Sequence, residues 1–149
     1  MALPASCHDQ SLGATRSPGE RGRPASRRVP GLTVCGTCAG ESLGGPDDGA
    51  RDEQMRVLRD LAGELGVALT VVDCLDACER GDVVVVRPSA AGRAIGAAPV
   101  WLQRMAGPSA MGELRDWLAA GGPGVAAEPS GLERHRLVDP DARVCCTDR

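Results

Sequence analysis

Apolar residues concentrate in the middle of this 149-residue chain. Of the 29 Leu, Val and Ile residues, 21 lie between Leu32 and Leu118, whereas the first 30 residues hold only three, among Pro, Gly, Ser and Arg. Segments so poor in apolar side chains bury too little surface to offset the entropy of the chain. We therefore predict one folded domain over residues 31–122, with a disordered arm at 1–30 and a flexible tail at 123–149.

The first half of this domain predicts a strand, a helix and a second strand. Leu32–Val34 is a short run with β-branched residues, typical of a strand. Gly66 is suited to the C′ position of a helix, and Val67–Val72 after it predicts a strand. The helix between the two strands is predicted by apolar residues at helical spacing, namely Met55, Leu58, Leu61, Ala62 and Leu65.

The second half predicts a loop, two strands and a final helix. Cys74–Gly81 predicts a loop, and the four consecutive valines Val83–Val86 predict a buried strand. Ala98–Leu102 predicts a weaker strand, and Met111–Ala120 a short helix. The order β–α–β–loop–β–β–α indicates an α/β two-layer sandwich in which a small mixed sheet carries helices.

Charge and the lack of long apolar runs argue against binding to nucleic acid and against a membrane span. All 17 basic residues are Arg, and the net charge is −3. The predicted domain is acidic, which argues against binding to nucleic acid. No apolar run approaches the roughly 18 residues of a membrane span, and no apolar stretch follows Arg27-Arg28 as an export signal requires. We expect a cytoplasmic protein.

Four of the seven cysteines form two closely spaced pairs. Cys35 and Cys38 are separated by two residues, Cys74 and Cys78 by three, and each pair follows a predicted strand. Loops that leave one edge of a sheet bring such pairs together, and four thiolates suit an iron–sulfur cluster or Zn²⁺. The acidic Asp73, Asp76 and Glu79 around the second pair should make such a centre harder to reduce.

The amides of Gly36 and Gly40, together with the charge of Arg80, should make the metal centre easier to reduce instead.

The other candidate residues have simpler interpretations. We interpret three cysteines as solvated thiols, namely Cys7, Cys145 and Cys146. His8 and His135 are interpreted as surface imidazoles, and Trp101 and Trp117 as anchors of the core.

At the second pair the sequence resembles a known family. Cys74-Leu75-Asp76-Ala77-Cys78 is similar to the second ligand pair, C-L-G-x-C, of the thioredoxin-like [2Fe-2S] ferredoxins. Segments 35–38, 73–88, 99–102 and 117–124 resemble actinobacterial (2Fe-2S) ferredoxin domain proteins. The first pair departs from the better-known members, which space it by four or about a dozen residues.

The resemblance implies a thioredoxin-like fold and a [2Fe-2S] cluster held by Cys35, Cys38, Cys74 and Cys78. It implies an electron carrier rather than an enzyme, which passes single electrons between a reductase and a redox partner. The acidic surface is a candidate docking face for a basic partner, and the resemblance leaves a homodimer open.

Two alternatives use the same cysteines. Zn²⁺ bound by the four thiolates would act as a structural staple for a thin core or an interaction domain. Alternatively, Cys35 and Cys38 would act as a thiol–disulfide oxidoreductase of the C-x-x-C type. The glycines and Pro46 after Cys38 delay the start of a helix, which weakens activation by a helix N-terminus.

Overall fold

The computed structural model describes residues 29–43, 48–77 and 80–137. They form a mixed α/β fold with one four-stranded sheet. The strands are β1 (Gly31–Cys35), β2 (Ala68–Val72), β3 (Val84–Arg87) and β4 (Val100–Leu102). The helices are α1 (Asp48–Leu65), α2 (Ala90–Ala94), α3 (Pro108–Ala120) and α4 (Ser130–Glu133), and a short 3₁₀ helix spans Glu41–Leu43.

The sheet has the strand order β2-β1-β3-β4. β1 pairs in parallel with β2, because α1 carries the chain back along the sheet before β2 begins. β3 lies antiparallel to both β1 and β4. The parallel pair ends at Cys35 and Val72, which are directly opposite each other. The segments that follow β1 and β2 therefore leave the sheet at the same edge.

The residues between the end of α1 and the start of β2 show why the helix ends at Leu65. Gly66 adopts φ +66°, a left-handed conformation that costs glycine little. Its amide donates to the carbonyl of Gly63, and the amide of Val67 donates to that of Ala62. These two bonds are the Schellman arrangement, so the predicted end of the helix at Gly66 is confirmed.

The larger hydrophobic cluster lies between one face of the sheet and helices α1 and α3. Alternate residues of β1 and β3 contribute to it, since successive side chains of a strand point to opposite faces. The helices supply aliphatic side chains, methionines and Trp117. Its fully buried large side chains include Leu32, Leu58, Leu61, Leu102, Met105, Leu114 and Leu132.

The smaller cluster includes side chains of β1 and β3 that point to the other face of the sheet. Cys35, Val83 and Val85 belong to it, together with Trp101 of β4. Leu137 packs in the same cluster, and its amide donates to the carbonyl of Trp101. Both tryptophans are buried, which confirms their assignment to the core.

The described fold continues past the predicted boundary at residue 122. The indole nitrogen of Trp117 donates to the carbonyl of Ala126, and Leu132 of α4 is fully buried. Arg136 forms an antiparallel bridge with Leu102. Residues 123–137 are therefore part of the packed domain, which corrects the predicted flexible tail. Residues 138–149, and all of the predicted arm except Val29 and Pro30, lie outside the described residues.

One arginine connects three strands on the face opposite α1. Arg87 of β3 crosses β1 at Gly31, where a Cβ atom would stand 2.7 Å from a guanidinium nitrogen. Its Nη2 donates to the carbonyl of Leu32 in β1. The same nitrogen lies within hydrogen-bond distance of the Ala68 carbonyl and the Thr70 hydroxyl in β2. Gly31 therefore leaves room for the hydrogen bonds that connect Arg87 of β3 to β2, the strand at the edge of the sheet.

Candidate metal centre

The first cysteine pair lies at the edge where the parallel strands end. Cys35 is the last residue of β1, and the amide of Gly36 continues the ladder by donating to the carbonyl of Val72 at 2.8 Å. Cys38 follows in the turn before the short 3₁₀ helix. Both side chains are buried, with 2% of Cys35 and 4% of Cys38 exposed.

The two thiols of this pair belong to the same small buried cluster. Neither residue is in a disulfide. Burial raises the pKa of the Cys38 thiol from 9.0 to about 12. The Cys35 side chain and the negative charge of Asp82 contribute to this rise in pKa, whereas a hydrogen bond from the Val83 backbone opposes it. Cys38 is consequently a protonated thiol at neutral pH.

The carbonyl of Asp73 connects the first pair to the second loop. It accepts the thiol hydrogen of Cys35, with 3.6 Å between sulfur and oxygen. The hydroxyl of Thr37 donates to the same oxygen. Since Cys74 is the next residue, these contacts attach the start of the second cysteine segment to the first. This is the contact that joins the two loops predicted from the sequence.

The second pair is described only as far as its first cysteine. Cys74 is exposed, and its sulfur accepts a hydrogen bond from the amide of Asp76 at 3.3 Å. The Asp76 carboxylate lies 3.8 Å from the same sulfur. Asp76 has φ +54°, a left-handed conformation that Asp tolerates better than most residues. Cys78 lies outside the described residues.

The loop amides expected to face the sulfurs of the first pair have other acceptors. Gly36 donates to Val72, as described above, and Gly40 donates to a carboxylate oxygen of Asp82 at 2.7 Å. The expected stabilisation of a reduced centre by these amides is therefore wrong. The amide of Asp76, which we did not predict, donates to sulfur instead.

Asp82 is the structural residue that the sequence analysis missed. Its side chain is only 3% exposed, and its carboxylate accepts hydrogen bonds from the amides of Gly40 and Ser42. The signal in the sequence was an Asp directly before four valines, where a charged side chain is costly to bury unless it is hydrogen-bonded.

The cysteine thiols suit a metal that prefers sulfur ligands. The described structure brings only some of the four predicted ligands together. Cys35 and Cys38 form a buried pair of soft ligands beside the segment that leads to Cys74. Over residues 29–43, 48–77 and 80–137, no three His, Cys, Asp or Glu side chains are grouped closely enough to hold a metal ion. The fourth predicted ligand, Cys78, is not among those residues. The described site is therefore a thiol pair joined to the segment of a third thiol.

The remaining predicted residues lie away from this edge or outside the described chain. His135 is half-buried, and its Nδ1 lies 3.0 Å from the carbonyl of Gln103, so it is tied to the turn after β4 rather than freely solvated. Outside the described residues are Cys7, His8, Cys145 and Cys146.

Comparison with known proteins gives no relative on which to base a function. No protein-family model, curated protein or solved structure matches the chain. In the part of the chain that the structure describes, every helix is too short or too polar to cross a lipid bilayer.

Proposed function

We propose that this chain binds a [2Fe-2S] cluster through Cys35, Cys38, Cys74 and Cys78 and carries single electrons between a reductase and a redox partner. One observation carries the proposal. Cys35 ends β1 and is buried in one cluster with Cys38, and its thiol donates to the carbonyl of Asp73, the residue that precedes Cys74 just after β2. Thiolates from two adjacent loops are the ligand set that such clusters take.

The strand arrangement supports a thioredoxin-like framework for this site. The order β2-β1-β3-β4, with β1 and β2 as the parallel pair, puts both cysteine loops at one edge, and α1 and α3 cover one face. The acidic Asp73 and Asp76 are exposed on either side of Cys74, which favours docking of a basic partner. We place the protein in the cytoplasm, where reduced thiols persist.

The chain's own residues would bind the cluster and set its exposure to water. When bound, a [2Fe-2S] cluster accepts and releases one electron. Cys38 loses its proton on ligation, because a metal-bound sulfur is a thiolate. The first loop shields its two sulfurs from water, whereas Cys74 is exposed. The second loop is therefore the side on which a partner approaches most closely.

Thiol–disulfide exchange fits the geometry less well. Exchange needs a thiolate nucleophile. Burial raises the pKa of Cys38 to about 12, so its thiol is protonated at neutral pH. The sulfur of Cys35 is also buried, so the disulfide of a substrate protein could not reach it. Zinc would be bound by the same four thiolates without a redox role. Metal analysis distinguishes a zinc site from an iron–sulfur cluster.

The decisive experiment is metal and sulfide analysis of anaerobically purified protein, with visible spectra before and after dithionite. We expect about two iron and two acid-labile sulfide per chain, and a brown colour that dithionite bleaches. Stoichiometric zinc on a colourless protein would contradict the proposal. A metal-free protein that forms a Cys35–Cys38 disulfide reversibly would favour the exchange function.

Single substitutions test the ligand assignment. Cys38→Ser and Cys78→Ser should lose or destabilise the cluster, since each removes one of four thiolate ligands. Cys145→Ser is the matched control, because it makes the same substitution at a cysteine outside both pairs. Loss of iron from the Cys145→Ser protein would show that the ligands are wrongly assigned.

A further inference from the structure

The carboxylate of Asp82 holds the loop that contains Cys38. Oδ1 accepts the amide of Gly40 at 2.7 Å, and Oδ2 accepts the amide of Ser42 at 2.8 Å. The backbone of Asp82 adds a third bond, since its amide donates to the carbonyl of Cys38 at 3.2 Å. One residue on the turn before β3 therefore contacts the segment from Cys38 to Ser42 at three points.

The backbone at this contact leaves little freedom. Gly40 has φ +82°, and a Cβ atom there would lie 2.5 Å from the carbonyl group of Ala50 at the start of α1. Asp82 itself has φ +44°, a conformation that Asp and Asn tolerate better than most residues. The loop is thus packed against α1 on one side and bonded to Asp82 on the other.

The negative charge of Asp82 is satisfied by amides rather than by a cation. Among the described residues it makes no ion pair, and the hydrogen bonds from Gly40 and Ser42 are charge-assisted. A buried charge is only weakly screened by solvent, so its field acts on the neighbouring Cys38 sulfur.

We propose that Asp82 is the positioning residue of the first cysteine loop, whose carboxylate keeps Cys35 and Cys38 buried and paired before any metal binds. The inference deepens the proposed function and rests on it only for the effect on a bound cluster. In metal-free protein the same contact acts on the accessibility of the two thiols, which is measurable by itself.

Two substitutions separate the carboxylate from the backbone. Asp82→Gly removes both acceptor oxygens without a steric cost at positive φ. Asp82→Asn removes the charge and one acceptor but keeps one oxygen and a residue that tolerates this conformation. Asp116→Asn is the matched control, because Asp116 is exposed on α3 and the substitution changes the net charge equally.

The first measurement is alkylation of reduced, metal-free protein, with each cysteine followed by peptide mass spectrometry. We expect Cys38 to react at least about tenfold faster in Asp82→Gly than in the parent chain, which corresponds to about 1.4 kcal/mol. Asp82→Asn should lie between the two, and Asp116→Asn should match the parent. Cys74, already exposed, should react at the same rate in all four proteins.

An unchanged rate at Cys38 in folded Asp82→Gly overturns the positioning role. If circular dichroism shows that this variant is unfolded, Asp82→Asn decides instead, and a parent-like rate in that variant overturns the proposal equally. Faster hydrogen exchange of buried backbone amides throughout the domain, alongside faster alkylation of Cys38, would mean global destabilisation rather than release of one loop. That outcome also contradicts the proposal.

The second measurement is the reduction potential of iron-loaded protein. Removing a buried negative charge favours the reduced cluster, so the midpoint potential should be higher in Asp82→Asn than in the parent and Asp116→Asn proteins. A merely structural contact would leave this potential unchanged. If the parent chain binds no iron, the proposed function fails, and the alkylation rates still decide the role of Asp82.

Discussion

The two faces of the sheet are packed by different kinds of side chain. The face under α1 and α3 is filled by aliphatic residues, methionines and Trp117, and several of its leucines are completely buried. The opposite face holds a smaller cluster, in which Cys35 and Cys38 stand beside Val83, Val85 and Trp101. The first face contains the packing that stabilises the fold. The second places two buried thiols in an apolar setting, and its hydrophobic cluster is smaller.

This comparison predicts that the largest loss of stability comes from the helix-covered face. Leu114→Ala removes a fully buried side chain of α3, and we expect the free energy of unfolding to fall by about 2–5 kcal/mol. Urea denaturation of metal-free protein measures this loss. Ile95→Ala is the control at a side chain that is 71% exposed, and its effect should stay within about 0.5 kcal/mol.

On the opposite face, Leu137→Ala should cost less. Leu137 is buried against Trp101 near the end of the described chain, where neighbouring residues can close part of the space left by the side chain. We expect a loss of about 2 kcal/mol, at the lower end of such substitutions. A loss as large as that of Leu114→Ala, in the same urea titration, would mean that the two faces contribute equally.

Alkaline pH should weaken the second face selectively. The pKa of Cys38 is raised from 9.0 to about 12 in the folded protein, chiefly by burial. Below about pH 9 the thiol is protonated whether the chain is folded or unfolded, and the contribution to stability is complete. That contribution is lost as the pH rises toward 12. The urea midpoint of metal-free protein should therefore drop more between about pH 8 and pH 10.5 than that of Cys38→Ala. Equal drops would contradict a buried neutral thiol at this position.

The smallest effect is expected at an ion pair outside both clusters. Arg115 and Glu64 join α3 to α1 at 2.7 Å, but about half of each side chain is exposed. Substituting Arg115→Gln should cost no more than about 0.5 kcal/mol. The difference should disappear in about 1 M salt, where exposed charges are screened, and this is measured by repeating the titration there.

The elements with regular apolar spacing could be predicted from the sequence. The spacing from Met55 to Leu65 predicted α1, and the valine run predicted the buried β3 strand. The short α2 was not predicted, because its segment lacks apolar residues at helical spacing. The hydroxyl of Ser89 accepts the amide of Gly92 at the start of this helix. Such caps are visible only when the turn geometry is known.

The tail was misjudged for a similar physical reason. Leu132 and Leu137 are isolated among Gly, Pro and charged residues, so their sequence neighbourhood predicts solvent exposure. Both are buried because they fit spaces on two different faces of a domain already formed by distant strands and helices. At the candidate site, the cysteine spacing and the strands before it were readable. The role of Asp82 was not, since its partners lie about 40 residues away in the chain.

The hydrogen bonds between Arg87 and β2 have a consequence for how the protein behaves at high concentration. β2 is an outer strand whose residues are mostly exposed, and outer strands invite pairing with another copy of the chain and growth of aggregates. The guanidinium group of Arg87 lies beside Ala68 and Thr70 on this strand and adds a positive charge there. A second β2 would have to approach against the same charge. The arginine that bonds to this strand thereby also places a charge of the kind that disfavours edge-to-edge pairing of sheets.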